Sequence, residues 1–361
     1  MHRRRVLAAT PAAALALGLG ARPLRAQQTI RWTMVMPWPK TTPGLGINAV
    51  RFAEMVERMS GGRLAMTVYG AGELVPPFES LDAVQSGTAD IMHATPYYWA
   101  GKAPAMHYFT TTPFGLTAEE LAGWLYKGDG MALWREAYEP FGVIPFYAGN
   151  SRIQAGGWFN KEINSLADLR GLKMRIAGLG GEVLRRLGVN TVLIAPGEIT
   201  PALMAGTVDA AEWVGPWNDR AFGLQQAARY YYVPAFHEPG AGLELTVNRN
   251  SFEALPDDLQ AIVEAAAAAI TTETVADFAF NNIMSFQPLL DDGVELRFWP
   301  DDVVDAMGRT TWEVMADLAA SDPMAGKIAA SVDSYLVEAD RYAQAFDKRL
   351  FDMRTRALAA G

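Results

Sequence analysis

Three polar side chains concentrate what chemistry this chain offers. Arg175, in LKMRIAG, closes a β-rich run and is followed by Ile-Ala-Gly. A guanidinium at a strand end presents a planar fork that matches a carboxylate bidentately; a solvated arginine is the competing reading. Glu212 and Trp213 lie in AAEWVGPWND, a carboxylate beside an indole just ahead of a chain-reversing Gly-Pro. A carboxylate and a backbone carbonyl at a strand end suit an oxygen cage for a hard cation such as Na+ or Ca2+, with Trp213 and Trp217 walling an apolar pocket. The same residues suit a core tryptophan beside a lobe-joining salt bridge. Gln154, in GNSRIQAGGW, is a neutral oxygen donor in a Gly-rich loop; it serves a cation or orders its own loop. Asn150 heads that loop and is a candidate ligand contact, and Arg152 beside it is either a second cationic candidate or structural. Glu238 in AFHEPG is a further candidate carboxylate. Tyr97 and Tyr98 in ATPYYW offer hydroxyls to a ligand or simply pack as aromatics.

Other chemistry is sparse. There is no cysteine, which excludes thiolate nucleophiles, Cys-type zinc sites, disulfides and a Cys lipid anchor. The histidines His2, His93, His107 and His237 are not paired at metal spacing. No HExxH, GxSxG or Walker loop occurs. GLGINA, Gly44 to Ala49, matches GxGxxA, but it follows its strand too late, after two prolines and without an acidic partner, so it is not read as a dinucleotide site. No general acid–base pair stands out. The residues point to binding rather than covalent chemistry.

Strand ends must position these groups. TIRWTMVMPW reads as a first strand. Ala49, Phe52, Met55, Val56 and Met59 recur at helical spacing until Gly61-Gly62, and LAMTVYG is the next strand, an α/β opening. ESLDAVQSGTADIMHATPYYW and ITPALMAGTVDAAEWVGPWN then form a weak internal repeat: helix, Gly-Thr-x-Asp, short strand, aromatic loop with a proline. Two ordinary αβ units can look alike by chance; two lobes of similar design would place both aromatic loops at the carboxyl ends of strands, where open α/β sheets bind ligands. At the end, Ile328, Val332, Tyr335, Ala339, Tyr342, Phe346, Leu350 and Met353 predict one long amphipathic helix. A rod of roughly 45 Å must bridge lobes or reach a second chain.

The 361 residues suit two domains. HRRR followed by a small apolar run and RPLRAQQ reads as a secretory leader cut after Ala26. Its five arginines leave with it, so the net charge of −9 becomes about −14 for the mature chain. That balance argues against nucleic-acid or anionic-membrane partners.

Taken together, MPWP at Met36, QSGTADIMHATPYYW, GNSRIQAGGWFNKEI, LKMRIAG, AGTVDAAEWVGPWND and YYYVPAFHEPG resemble the extracytoplasmic solute receptors of TRAP (tripartite ATP-independent periplasmic) transporters, over nearly all of the mature chain. The resemblance is nearest to the branch with α-keto acid-binding and lactate-binding (mannitol/chloroaromatic-type) receptors. It implies an α/β, two-lobe periplasmic binding protein fold with a ligand cleft and a long C-terminal helix. It also implies a small 2-oxo or 2-hydroxy monocarboxylate on Arg175, and a bridging Na+ or Ca2+ held by Gln154, Glu212, the Trp213 carbonyl and Glu238. Asn150, Tyr97, Tyr98 and Trp213 join Arg175 and Gln154 around the substrate. Delivery to TRAP membrane subunits and a swapped homodimer are implied as well; Arg152 departs from the small neutral residue expected there. The expected layout is a leader over 1–26, lobe I over 27–150 with 214–250 returning to it, lobe II over 151–213 with 251–326, and a helix over 327–361. The rival readings are an ABC-type receptor, a secreted metal-dependent enzyme using Glu212, and a structural dimer with a vestigial cleft.

Overall fold

The computed structural model describes residues 29–360; the leader expected over 1–26 lies outside the described residues. Two sheets divide the chain. The first has the order β2-β1-β3-β10-β4 and comprises β1 (Ile30–Val35), β2 (Leu64–Tyr69), β3 (Ile91–Ala94), β4 (Val143–Asn150) and β10 (Gly242–Asn248). The second has the order β11-β9-β5-β8-β6-β7 and comprises β5 (Gly157–Phe159), β6 (Lys173–Arg175), β7 (Asn190–Val192), β8 (Ala210–Ala211), β9 (Tyr230–Val233) and β11 (Glu295–Phe298). Strands β3 and β10 are buried along their whole length. β3 (IMHA) is mostly apolar, whereas β10 (GLELTVN) alternates apolar and polar residues and buries Glu244 among side-chain donors.

The repeat is structural. In the first unit Asp90 donates its backbone N–H to the Thr33 carbonyl at 2.9 Å and accepts the Thr33 N–H on its carboxylate at 2.8 Å. In the second, Asp209 donates to the Lys173 carbonyl at 2.8 Å and accepts the Lys173 N–H at 3.0 Å. Each Gly-Thr-x-Asp turn thus clips its outgoing strand to the neighbouring parallel strand by the same two bonds, once in each sheet.

Two expected boundaries move. Residues 214–250 do not all return to the first lobe, because β9 pairs with β5 and β11 in the second sheet; only β10 rejoins the first. Nor does 251–326 belong to the second lobe alone. Helix Asp257–Asp291, about 50 Å long at 1.5 Å per residue, packs on β4 and on helix Gly46–Met59 of the first lobe, then on helix Pro216–Ala221. The lobes are therefore tied by this helix and by two crossovers, β4 to β5 and β9 to β10. The crossovers run side by side, with Ser151 N–H on the Ala241 carbonyl at 3.0 Å and Gln154 N–H on the Glu238 carbonyl at 3.1 Å.

The expected long terminal helix runs from Pro323 to Ala359 as segments Pro323–Ala345 and Asp347–Ala359, interrupted only at Phe346, where Phe346 N–H still reaches the Tyr342 carbonyl at 2.9 Å and Leu350 N–H the Phe346 carbonyl at 2.8 Å. Ala325, Ile328, Ala329, Val332 and Ala339 are buried against the rest of the chain, whereas Tyr342, Phe346, Leu350 and Met353 are exposed and no residue of the last helix is buried. The GLGINA loop also has a packing explanation. A Cβ on Gly44, at φ +65°, would lie 2.7 Å from Phe278 and 2.8 Å from Trp217. Its glycine makes room for aromatics, not for a pyrophosphate.

Candidate functional site

Strand polarity brings the site together. Strands β6 and β8 run parallel and end at Arg175 and Ala211, one residue before Glu212. Strand β5 is antiparallel to β8, so its entry, Gln154 to Gly156, lies at the same sheet end. Strand β9 is antiparallel to β5, so its exit toward Phe236, His237 and Glu238 lies there too. In the first sheet β3 and β4 finish toward Tyr97 and Asn150, with the start of β10 between them. Each of these residues thus sits at the cleft-facing end of its sheet, the usual place for ligands in open α/β folds.

Arg175, Glu212 and Glu238 are each no more than 1% exposed. Arg175 Nη1 donates to the Glu212 carboxylate at 2.8 Å and to the Glu212 carbonyl at 2.6 Å, and its Nε reaches the Ile194 carbonyl at 3.3 Å. Its guanidinium carbon lies 5.6 Å from the Trp213 ring centre. Burial opposes the charge, but Glu212 together with the neighbouring Tyr98, Tyr97 and Glu238 outweighs it, and the Arg175 pKa lies above its ordinary value. The bidentate fork expected from sequence is therefore not free. Nη1 is committed to Glu212, and Nη2 is the buried donor left without a partner. The salt-bridge and ligand readings of Glu212 converge in one residue: one carboxylate oxygen pairs with Arg175, and Oε1 has no partner.

The same lack of partners marks Gln154 Oε1, both carboxylate oxygens of Glu238, Asn150 Nδ2, Trp213 Nε1 and both ring nitrogens of His237. Glu212, His237 and Glu238 each offer an atom within 4.8 Å of the others. Burial, and then the charge of Glu212, raise the Glu238 carboxyl well above the usual range. Buried orphaned polar atoms are costly and rare, and this cluster of oxygens is the donor set a hard cation takes. The residues present fit a bridging Na+ or Ca2+. Gln154 is fixed by its Nε2 on Ser151 Oγ at 2.7 Å, which turns its oxygen away from that bond.

Sequence reasoning missed His237. Its adjacency to Glu238 was visible, but its approach to 4.0 Å from Glu212 Oε1 depends on the β9–β10 crossover. That approach requires Gly180, where a Cβ would lie 2.4 Å from His237 Cβ. Trp213 stays at the site, while Trp217 leaves it, its ring 5.5 Å from that of Phe278. Arg152 is exposed at φ +66°, its N–H on Asn150 Oδ1 at 2.7 Å, an Asx-type turn that orders the loop.

The first lobe supplies an aromatic wall. Trp38, Leu45, Tyr97, Tyr98, Leu243 and Val214 line a small cavity of about 20 Å³ beside Gln154 and Trp213. Burial raises the hydroxyls of both Tyr97 and Tyr98 above their usual range, so both remain neutral donors. Buried Glu244 fixes the turn that carries them: it accepts from Trp99 Nε1 at 2.8 Å, Tyr138 Oη at 2.9 Å and Thr246 Oγ1 at 2.8 Å. Burial raises its carboxyl to about 7. A folded pKa above the unfolded one means that folding takes up a proton between the two values, so this contribution to stability is lost as pH rises from about 4.5 to about 7. Glu244→Gln should flatten that part of the stability profile, by roughly 3 kcal/mol between the ends of the window. Thermal melts of the two chains from pH 4.5 to 8 check this; parallel curves contradict it.

Two α/β lobes closing on a buried arginine and a set of partnerless oxygens, joined at paired crossovers, define a two-lobed solute-binding protein. The chain belongs to the bacterial extracellular solute-binding proteins, family 7, whose profile matches residues 34–322. A monocarboxylate 2-oxoacid-binding periplasmic protein of Nostoc sp. is 42% identical over 293 residues, 81% of this chain and 80% of that one. A TRAP solute-binding protein of Bordetella bronchiseptica, a mixed-occupancy dimer with copurified calcium and picolinate, superposes with a TM-score of 0.90 at 34% identity, covering 92% of this chain and 99% of that one. One from Colwellia psychrerythraea, with bound calcium and pyruvate, gives 0.87 at 36%, covering 90% and 99%. A third, from Pseudoalteromonas atlantica, with sodium and pyruvate, gives 0.87 at 35% with the same coverage. Among the described residues no helix is long and apolar enough to cross a membrane.

Proposed function

We propose that the chain is the periplasmic receptor of a TRAP transporter, that it captures a small 2-oxo or 2-hydroxy monocarboxylate with a bridging Na+ or Ca2+, and that it passes the acid to membrane subunits without covalent chemistry. The observation that carries this reading is the set of buried, partnerless oxygens on Gln154, Glu212 and Glu238 beside an arginine with one free nitrogen. Arg175 Nη2 takes the carboxylate. Gln154 Oε1, Glu212 Oε1, the Trp213 carbonyl and Glu238 hold the cation, whose charge offsets the two carboxylates and draws the acid's 2-oxygen. His237 joins this polar cluster. Tyr97, Tyr98 and Asn150 close on the acid from the first lobe, and Trp213 stacks beside Arg175. Similarity to the Nostoc 2-oxoacid-binding protein and to the pyruvate-bound receptors supports the same acid class. Screening 2-oxo and 2-hydroxy acids by thermal shift with Na+ or Ca2+ tests it: a true ligand at 100 times its Kd adds about 2.7 kcal/mol. No response from any acid with either cation defeats the reading.

A homodimer is part of the proposal. Phe346, Leu350, Phe351, Met353 and Leu358 are each more than half exposed, and an unpartnered stripe of this kind marks an interaction surface. A groove of about 580 Å³ with an acidic rim, Glu120, Asp333 and Asp340, opens beside Phe114, Trp312 and Val337. The last helix carries Lys348, Arg349, Arg354 and Arg356 against Asp347 and Asp352, a complementary charge for that rim in a second copy. The dimer of the Bordetella receptor supports the reading. Truncation after Ser331 would remove Val332 and Ala339, which are buried in this chain, so the cleaner cut follows Ala345. Light scattering should give a dimer for the mature chain and a folded monomer for the truncated one. A monomeric mature chain at micromolar concentration contradicts it.

A further inference from the structure

The Trp213–Val214 peptide does two jobs on one plane. Val214 N–H donates to Asp219 Oδ1 at 3.1 Å. The peptide is trans, since Val233–Pro234 is the cis bond found among the described residues. In a trans peptide the C=O and N–H point in opposite directions, so fixing the Val214 N–H toward Asp219 fixes the Trp213 carbonyl away from it. The next peptide is tied as well: the Val214 carbonyl accepts Ala155 N–H at 2.9 Å, directly after Gln154.

Asp219 is itself immobilised. It is fully buried on helix Pro216–Ala221, and its second oxygen accepts Trp158 Nε1 at 3.0 Å and Tyr231 Oη at 2.9 Å. Those rings stack at 4.2 Å across β5 and β9. The carboxylate is anchored to the middle of the second sheet through one oxygen and reaches the site loop through the other. A staple between helix and sheet alone would need only Oδ2.

We propose that Asp219 is a positioning residue of the cation site, holding the Val214 N–H so that the Trp213 carbonyl stays aimed at the cation. This rests on the reading of that carbonyl as a cation ligand. Hydrogen bonding to the Asp219 oxygen also polarises the peptide, which leaves its carbonyl oxygen a better donor to a cation. Asparagine at 219 keeps an acceptor for Val214, at the cost of setting its amide against the Trp158 N–H; alanine has none.

The test compares Asp219→Asn and Asp219→Ala with wild type in the full mature chain, at a temperature where all are folded. Amide exchange at Val214 is read on metal-free protein, and Ca2+ affinity by calorimetry without any acid. The expected result is wild-type-like Val214 protection and Ca2+ affinity within about threefold for asparagine. For alanine, exchange should be at least tenfold faster and Ca2+ affinity at least tenfold weaker. An alanine variant that only melts earlier, with both readouts unchanged, overturns the role and leaves a staple. If alanine does not fold, Trp158→Phe and Tyr231→Phe each remove one anchor of the carboxylate. Faster Val214 exchange and weaker Ca2+ binding, moving together, support the proposal; a lower melting point alone overturns it. A wild-type chain that binds neither Ca2+ nor Na+ overturns the cation reading and this role with it, whereas wild-type binding with an indifferent alanine variant overturns only the role of Asp219.

Discussion

Arg175→Lys will weaken binding of a 2-oxo monocarboxylate by at least tenfold, about 1.4 kcal/mol, while the lobes stay folded. Lysine keeps a positive charge opposite Glu212, so the buried anion is not orphaned. What disappears is the division of labour within one planar group. Nη1 serves the Glu212 carboxylate and carbonyl, Nε serves the Ile194 carbonyl, and Nη2 has no partner. A single ammonium cannot hold the Glu212 end of that network and still place a directed donor in the cleft. The stacking of a flat cation over Trp213 is lost too. Calorimetry at saturating cation reads the change, with circular dichroism as the check on folding; an unchanged Kd in a folded variant removes Arg175 from the acid site.

Glu212→Gln and Glu238→Gln will abolish cation-dependent binding together yet move stability in opposite directions. Glu212 is the counter-ion of a fully buried arginine. Removing one partner of a buried pair leaves an uncompensated charge and costs roughly 3–5 kcal/mol. Glu238 has no hydrogen-bond partner on either oxygen and faces Glu212 across the cluster. Its neutral isostere removes the cost of holding a second buried carboxyl beside Glu212, the cost that raises its pKa, and the metal-free chain should gain ~1–2 kcal/mol, as destabilised functional residues often yield when replaced. Melts of metal-free protein with and without added Ca2+ separate the two. If Glu238→Gln destabilises the metal-free chain as Glu212→Gln does, Glu238 is a structural acid rather than a ligand held in readiness.

The site was legible where chain order and strand ends coincide. Arg175 and Glu212 end neighbouring parallel strands, and the Gly-Thr-x-Asp repeat announces the second of them. Gln154 and Glu238 were legible as residue types in loops, but not as neighbours. Their meeting depends on two crossovers that hydrogen-bond side by side, a tertiary fact with no local signature. The occupied half of the Arg175 fork was invisible for a similar reason, since a sequence shows a donor but not how many of its nitrogens are already engaged. The lobe boundary failed at YYYV because a buried strand looks the same in either sheet. Helix Asp257–Asp291 lacks a single apolar face, and its buried residues meet different partners along its length, so its reach beyond one lobe left no periodic trace. At Phe346 the three-and-four spacing continues through the break, so periodicity could not find it.

Capture of the acid through a cation is the central claim, and titrating pyruvate into the mature protein stripped of metal, then into the same protein with Ca2+ or Na+ restored, tests it most directly. The account predicts negligible heat without the cation and one saturable site per chain once it is restored. Equal affinity in both titrations would show Arg175 binding the carboxylate unaided and would contradict the cation site built from Gln154, Glu212, Trp213 and Glu238.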